Sequence, residues 1–413
     1  MLLKMAKPVT EKARLVGNAD EEDILIEELE DDETPPEALG ESAIESKYDS
    51  KQNQIFIQRN DFLIPNILQM VKNRDVLDLS PSYQRRTRWN DKKRSHLIES
   101  LLMNVPIPPI FLYERDLAKY EVMDGQQRLN TIRSFIDNEF RLKDLKTWPE
   151  LNGRRYHDLP PRIQAGLMRR GLAAVIVLTE SGQDEVTAME LRQYVFERLN
   201  TGGESLNAQE IRNCIFSGHF NDMLVTIARS DIFTKVWGVP ARESHEPQKV
   251  SRKLATNRLY ATLSDCEIVL RFFALSDLDT FKGGMKRTLD RCMQTRRNAS
   301  KEECTKLSED YLVALTTAHS IYGDHLFRLF DKQKELNGRR SVPLADATLL
   351  GIAAQRPHWD VLIAKRAAVI QRTKSALGNE KTYETLVGRG NTKTAIEARI
   401  NAVNSLLAKV ASK

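Results

Sequence analysis

The stretch that decides the fold is Lys119-Tyr120-Glu121-Val122-Met123-Asp124-Gly125-Gln126-Gln127-Arg128-Leu129-Asn130-Thr131-Ile132-Arg133-Ser134-Phe135-Ile136. Tyr120 to Met123 is a short apolar run that reads as a strand. Leu129, Ile132, Phe135 and Ile136 fall at helical spacing and read as the buried stripe of a helix. Between them, Asp124-Gly125-Gln126-Gln127-Arg128 occupies the strand-to-helix junction. Glycine there lets the backbone turn tightly and approach another group closely. The helix start adds unpaired N–H groups and the positive end of the dipole, which together favour an anion. Taken alone, the pentapeptide has two readings: an anion-binding junction, or an Asp cap with polar residues facing solvent.

Upstream, Ile110 to Tyr113 reads as a strand and Arg115 to Lys119 as a turn, so a hairpin delivers the chain to Asp124. Val105-Pro106-Ile107-Pro108-Pro109 ends a helix and sets an extended segment before that hairpin. The helix begins at Asn90 or Asp91 and buries Leu97, Ile98, Leu101 and Leu102. Lys92, Lys93 and Arg94 sit near its start, where positive charge costs up to about 1 kcal/mol and a bound anion would offset it. Before it lies Tyr83-Gln84-Arg85-Arg86-Thr87-Arg88-Trp89, a loop dense in arginine and bracketed by aromatics. Arginine binds phosphate with a planar fork and aromatics stack on bases. The same loop also reads as a basic surface with Trp89 packed inward. Ile55-Phe56-Ile57 reads as a short strand, and Asp61 as the cap of a helix carrying Ile64, Ile67, Leu68 and Val71.

Downstream, residues 140 to 171 read as short helices and Leu172 to Leu178 as a buried strand. A helix with Val186, Met189, Val195, Phe196 and Leu199 ends at Asn200-Thr201-Gly202-Gly203, which is either a glycine stop or a backbone lining for a ligand. Ser205 or Asn207 caps the next helix, with Gln209, Glu210, Arg212 and Asn213 in its first turns. Beyond Asn221 the pattern is helical, including spans at about 284–297, 302–335, 343–355, 358–378 and 393–411. The fold class is therefore α+β: a small mixed sheet followed by a mainly α-helical C-terminal domain. The expected domains are an acidic, unstructured leader over 1–48, a sheet domain over 54–220 and a helical domain over 221–413.

Hydrophobic residues make up 41% of the 413 and charged residues 29%, a globular composition. No apolar run approaches the roughly 20 residues that span a bilayer, and Met1 to Thr10 leads into no signal-peptide core, so a cytoplasmic location is expected. Cys214, Cys266, Cys292 and Cys304 form no zinc-ligand spacing and read as buried thiols. Residues 1–50 carry five Lys and Arg against fifteen Asp and Glu, leaving the rest of the chain at +15 of a net +5. A basic body behind an acidic leader suggests a polyanionic partner, or simply a solvated surface. Ile24, Leu25, Ile26 and Leu29 in the leader match a short amphipathic helix for a protein partner. A homo-oligomer is also compatible.

An ordered set of motifs resembles one family. Tyr83-Gln84-Arg85 is followed by Trp89. Leu97-Ile98-Glu99-Ser100-Leu101-Leu102 leads to Pro106-Ile107-Pro108-Pro109. Then come Asp124-Gly125-Gln126-Gln127-Arg128 and Arg198-Leu199-Asn200-Thr201-Gly202-Gly203, running on to Gln209-Glu210 and Arg212-Asn213. Together they resemble the DGQQR domain at the N-terminus of GmrSD-type modification-dependent restriction endonucleases. The resemblance covers about Gln54 to Leu275. It implies a ParB/sulfiredoxin-like fold, nucleoside triphosphate binding and hydrolysis at the DGQQR stretch, a nearby Tyr-Gln-Arg loop linked to modified DNA, and a role in defence against phage or foreign DNA. Many relatives carry a second nuclease domain of the HNH type. His319, His325 and His358 lie in helical patterns here, so the chain looks like the stand-alone form. Sulfiredoxin-type loops hold a reactive cysteine where Gln126 and Gln127 stand, which removes thiol chemistry from this loop.

The expected roles follow from both lines. Gly125 and the N–H groups after it cradle phosphates, and Arg128 neutralises their charge. Asp124 holds Mg²⁺ and Gln126 or Gln127 orients water. Asn200, Thr201, Gly202, Gly203 and Arg212 close the pocket. Tyr83, Gln84, Arg85, Arg86, Arg88 and Trp89 meet DNA or the far side of the nucleotide. The alternatives are a nucleotide-switched binding module without turnover, and a metal-dependent nuclease using Asp124 and Glu210.

Overall fold

The computed structural model describes residues 24–25, 41, 45–46, 56–73, 75–79, 89–178, 192, 194–196, 198, 207–244, 246, 250–330, 335–336, 338–388 and 390–412. The chain forms two compact units, one spanning Glu30–Leu312 and one combining Met1–Leu29 with Val313–Lys413. The helices expected over 221–413 are thus shared between the two.

The first unit is built on a five-stranded sheet. Its strands are β1 (Ile57–Leu63), β2 (Leu77–Asp78), β3 (Ile110–Asp116), β4 (Lys119–Asp124) and β5 (Gly171–Val177). Their order across the sheet is β1-β5-β3-β4-β2. The sheet is mixed: β1/β5 and β3/β4 are antiparallel, whereas β3/β5 and β2/β4 are parallel. Four helices supply the main core against it: α1 (Ile64–Lys72), α2 (Asp91–Leu102), α3 (Gln126–Ile136) and α4 (Pro161–Met168). Side chains alternate along each strand, so Ile110 and Leu112 from β3 and Leu172, Ala174 and Ile176 from β5 enter the same core as Leu129, Ile132 and Phe135 of α3. Phe135 is packed by Phe140 and Tyr156, with ring centroids 5.5 and 6.1 Å away.

The first strand and helix differ from expectation. Asp61 lies within β1 and caps nothing; α1 begins three residues later at Ile64, with Pro65 in its first turn and no side-chain cap. Seven residues paired to β5 outweigh the local preference of Asp61 for a cap, and proline tolerates a helix start because its missing N–H is an orphan there anyway. The hairpin and the buried strand fall where expected.

After β5 the described residues of the unit are mainly helical. Its helices include α5 (Ala208–Ile215), α6 (His219–Ala228), α7 (Asp231–Trp237), α8 (Ser264–Leu275) and α9 (Gly284–Thr295). Phe272 and Phe273 of α8 pack on Phe220 and Tyr311. All four cysteines are free and buried; burial pushes the Cys292 thiol up to about 11, with Arg296 opposing.

In the second unit, α11 (Val342–Ala354) packs along α14 (Lys393–Ala411). A Cβ on Gly351 would meet Val403 Cγ1 at 3.1 Å. Between them in sequence lie α12 (Arg366–Gly378) and α13 (Glu380–Val387). The long helix α10 (Lys301–Tyr322) stops well short of the expected residue 335, because Gly323 takes a left-handed φ of 58° and breaks the run. The carbonyls of Gly388 and Gly390 accept from the buried guanidinium of Arg399. Ile24–Leu25 pairs in parallel with Arg340–Ser341, so two residues of the expected leader helix are strand. No helix among the described residues is long and apolar enough to cross a membrane.

Candidate functional site

The motif sits at the C-terminal end of β4 and the first turn of α3. Gly125 is the helix N-cap, at φ 101° and ψ 5°. A Cβ there would lie 2.6 Å from Ile110 Cγ2 on the neighbouring strand. Both the left-handed backbone and the close approach demand glycine. Having no side chain, Gly125 itself caps no amide of α3. The Asp-cap alternative therefore fails: the cap is Gly125, and Asp124 is turned to another task.

That task is an ion pair. Asp124 Oδ2 accepts from Arg128 Nη2 at 2.5 Å, across one helical turn. Arg128 also donates Nη1 to the carbonyls of Pro108 and Pro109, the latter at 3.0 Å. Its side chain is only 10% exposed. Arg128 thus staples the proline segment, the end of β4 and the start of α3 to one another. A proline pair supplies carbonyls that no neighbouring strand takes up, and a guanidinium with five donors is suited to collecting them.

The two glutamines hold a different segment. Gln126 Nε2 donates to the Leu79 carbonyl, and Gln127 Oε1 accepts from the Trp89 N–H at 3.4 Å. Leu79 and Trp89 are the described residues flanking the arginine-rich loop. Both ends of that loop are therefore tied to consecutive residues of the motif. Tyr83, Gln84, Arg85, Arg86 and Arg88 lie outside the described residues. Trp89 is partly buried against the core of the first unit, in line with the inward-packed alternative for it.

The basic start of α2 is neutralised from within the chain. Asn90 caps the helix by accepting from Lys93 N at 2.9 Å. Asp91 pairs with Arg94 and Lys143, at 3.4 and 3.1 Å. Lys92 reaches Asp144 at 3.9 Å.

Arg212 is placed away from any opening. It is 1% exposed, with Nε on Asp290 at 2.6 Å, and Nη1 on Glu267 at 2.9 Å and Gln209 at 3.1 Å. It joins α5, α8 and α9. Glu210, the second carboxylate of the nuclease alternative, closes a capping box: its Oε2 accepts from the Asn207 N–H at 2.8 Å, while Asn207 Oδ1 accepts from the Glu210 N–H. Asn200, Thr201, Gly202 and Gly203 lie outside the described residues. Among the described residues no group of three or more His, Cys, Asp or Glu is arranged to hold a metal. Asp124 is the single carboxylate of the motif. Its side chain is 44% exposed, which fits the Mg²⁺–phosphate pattern of one or two protein carboxylates with phosphate oxygens completing the shell.

The sequence reading missed a cavity of about 770 Å³ on the other face of the sheet. Ile57, Arg59 and Asp61 of β1, Ala173 and Val175 of β5, and Phe111 of β3 line it, with Tyr194 and Arg198 at one side. Pro109 belongs to both places: it lines the cavity and its carbonyl accepts from Arg128. The alternation Ile57-Arg59-Asp61 was the available signal, hidden because β1 was read as three residues.

Next to the cavity this face is closed by Arg192. Its guanidinium pairs with Glu121, donates to the Cys214 and Ile215 carbonyls, and lies 5.3 Å from the Tyr113 ring centroid. Burial pushes the Glu121 carboxyl above its ordinary range, with Arg192 pulling the other way.

With this geometry in hand, comparison with known families gives one match, to the GmrSD restriction endonuclease N-terminal domain, over residues 64–217. The chain carries a GmrSD N-terminal domain. No curated protein and no solved structure matches the chain. The match begins with α1 and ends just beyond α5, so it contains the motif, both segments the motif ties down, and Arg192. The matched family is described as a domain of restriction endonucleases.

Proposed function

We propose that the GmrSD N-terminal domain binds a nucleoside triphosphate at the first turn of α3 and couples its hydrolysis to sensing or acting on DNA. The observation that carries this reading is the junction at Gly125. A left-handed glycine pressed on Ile110 opens the helix, and the next two residues hold Leu79 and Trp89, which flank the arginine-rich stretch of the sequence. A helix start suits phosphate through its amides and dipole, and arginine suits it through its planar fork. In this reading Asp124 would hold a Mg²⁺, which would supply positive charge to offset that of the phosphates. Gln127 then orients water, and Arg128 positions the junction through its hold on Asp124, Pro108 and Pro109.

The test uses Gln127→Glu in the full chain. Glutamate keeps the acceptor that Trp89 uses and adds negative charge where phosphate would lie. The charge is itself favourable at a helix N-terminus. Each NTP with Mg²⁺ should raise the Tm of the wild type, with phosphate release stimulated by DNA. A ligand at about 100 times its Kd adds about 2.7 kcal/mol. The variant should keep its basal Tm and lose both responses. If no NTP shifts the wild-type Tm, with or without DNA, the reading is wrong.

A second reading, binding without turnover, is favoured by one contact. The only carboxylate of the motif is already paired with Arg128, which leaves no second motif carboxylate to act as a base. An NTP-induced Tm shift with no phosphate release under any DNA condition would select it.

A further inference from the structure

We infer that β1 is a self-complementary edge through which two copies of this chain pair to make one continuous sheet. Strand β1 is the outermost strand of its sheet, and among the described residues nothing pairs with its outer side. It runs for seven residues without a bulge against β5. It also leaves Ile57 and Leu63 about half exposed, at 51 and 48%. A long, exposed, partly apolar edge is the kind of surface that proteins cover or use.

The hydrogen-bond parity fixes which residues can pair. Leu178 N donates to the Phe56 carbonyl, and Ile64 N donates to the Arg170 carbonyl, each at 3.0 Å. Both flanking residues of β1 with even numbers therefore direct their main chain toward β5. Alternation along an antiparallel ladder gives the same direction to Gln58, Asn60 and Phe62. The N–H and C=O groups of Ile57, Arg59, Asp61 and Leu63 then point to the free side. A second β1 arriving antiparallel must match odd residues with odd ones.

Charge then selects among the permitted registers. Centring the two-fold on Arg59 sets arginine against arginine, and centring it on Asp61 sets aspartate against aspartate. Centring it on Asn60 sets Ile57 against Leu63, Arg59 against Asp61 and Asn60 against its own copy, with all seven residues in register. Opposite charges directly across an antiparallel pair stabilise it and like charges oppose it. Charged side chains often guard an edge against pairing. Here the signs are arranged so that they exclude the shifted registers and favour the full one. A two-fold of this kind is isologous and closes at two copies. Its axis is perpendicular to the sheet, so Ile57, Arg59 and Asp61 of both copies lie on one face. The two cavities they line then meet across the axis.

The experiment is sedimentation of the full chain with charge-swap variants, alongside a cross-link. Wild type should dimerise with increasing concentration. Arg59→Asp and Asp61→Arg should each weaken the dimer about tenfold or more, and the double swap should restore it. Asn60→Cys should form an intermolecular disulfide on mild oxidation, because a facing pair that is not hydrogen-bonded has Cα atoms about 4.5 Å apart. Gln58→Cys, which faces Phe62 of the second copy, should not. The four native cysteines are buried and give little background. A wild type that stays monomeric with no Asn60→Cys cross-link overturns the inference. So does a dimer indifferent to both single swaps, or one that the double swap fails to restore.

Discussion

The two faces of the five-stranded sheet are made from the same strands and have opposite fates. On one, Ile110, Leu112, Leu172, Ala174 and Ile176 are at most 1% exposed beneath four helices. On the other, one residue along from each, Phe111, Ala173 and Val175 line an open cavity with Arg59 and Asp61. A period of two makes this possible, since each step along a strand reverses the side chain. The first face sets the stability of the domain. The second can carry recognition where the cavity leaves it open. The motif stands at the boundary: Arg128 and Gly125 act on the covered side, yet Pro109, which Arg128 holds, lines the open one.

The comparison is broken most directly by truncating one residue on each face. Leu112→Ala leaves a cavity in the covered core and should cost about 2–5 kcal/mol. Val175→Ala, partly exposed on the open face, should cost under about 1 kcal/mol by the area it leaves in water. Urea unfolding of the two variants measures the difference, and similar losses would mean that the open face is covered in solution. Gly125→Ala tests the boundary and should fall between them. It forces a Cβ to within 2.6 Å of Ile110 Cγ2 in a left-handed backbone, which costs about 1–3 kcal/mol from overpacking alone. A neutral result there would show that the junction relaxes without the glycine.

The covered face was legible in the sequence and the open one was not. Leu129, Ile132 and Phe135 announce α3 by their spacing, and Leu172 to Leu178 announces β5 by its apolar run, because burial on a regular element leaves a periodic signature. The motif's residues also stood out, and their grouping at a strand–helix junction holds. Their individual contacts did not stand out. That Arg128 reaches back to Pro108 and Pro109, or that Gln126 and Gln127 grip the two ends of one loop, depends on how β3, β4 and α3 converge, which no local pattern encodes. Arg212 shows the same limit. An arginine in the first turns of a helix reads as a residue closing the pocket until Glu267 and Asp290 arrive from more than fifty residues away in the chain. Strand β1 was misread because Asp61 resembles a cap locally, and only its pairing with β5 overrides that.

The smallest expected effect lies where the second face is closed, beneath Arg192. Glu121 shares that face with Tyr113, and burial raises its carboxyl despite the ion pair with Arg192. A carboxyl raised in the folded state binds its proton more tightly there than in the unfolded chain. Its contribution to stability is full below the ordinary carboxylate value and declines as pH rises through the higher folded one. Glu121→Gln removes that titration while keeping the shape. At acidic pH the variant and the wild type should therefore be similar, since both are neutral at this position. As pH rises to neutrality the variant should gain on the wild type, which alone pays to ionise a buried group. Urea midpoints across that range give the sign. If the variant instead loses ground as pH rises, attraction to Arg192 outweighs burial. Glu121 would then be a carboxylate that this part of the sheet needs charged, and the closed end of the second face would owe its closure to the ion pair rather than to packing.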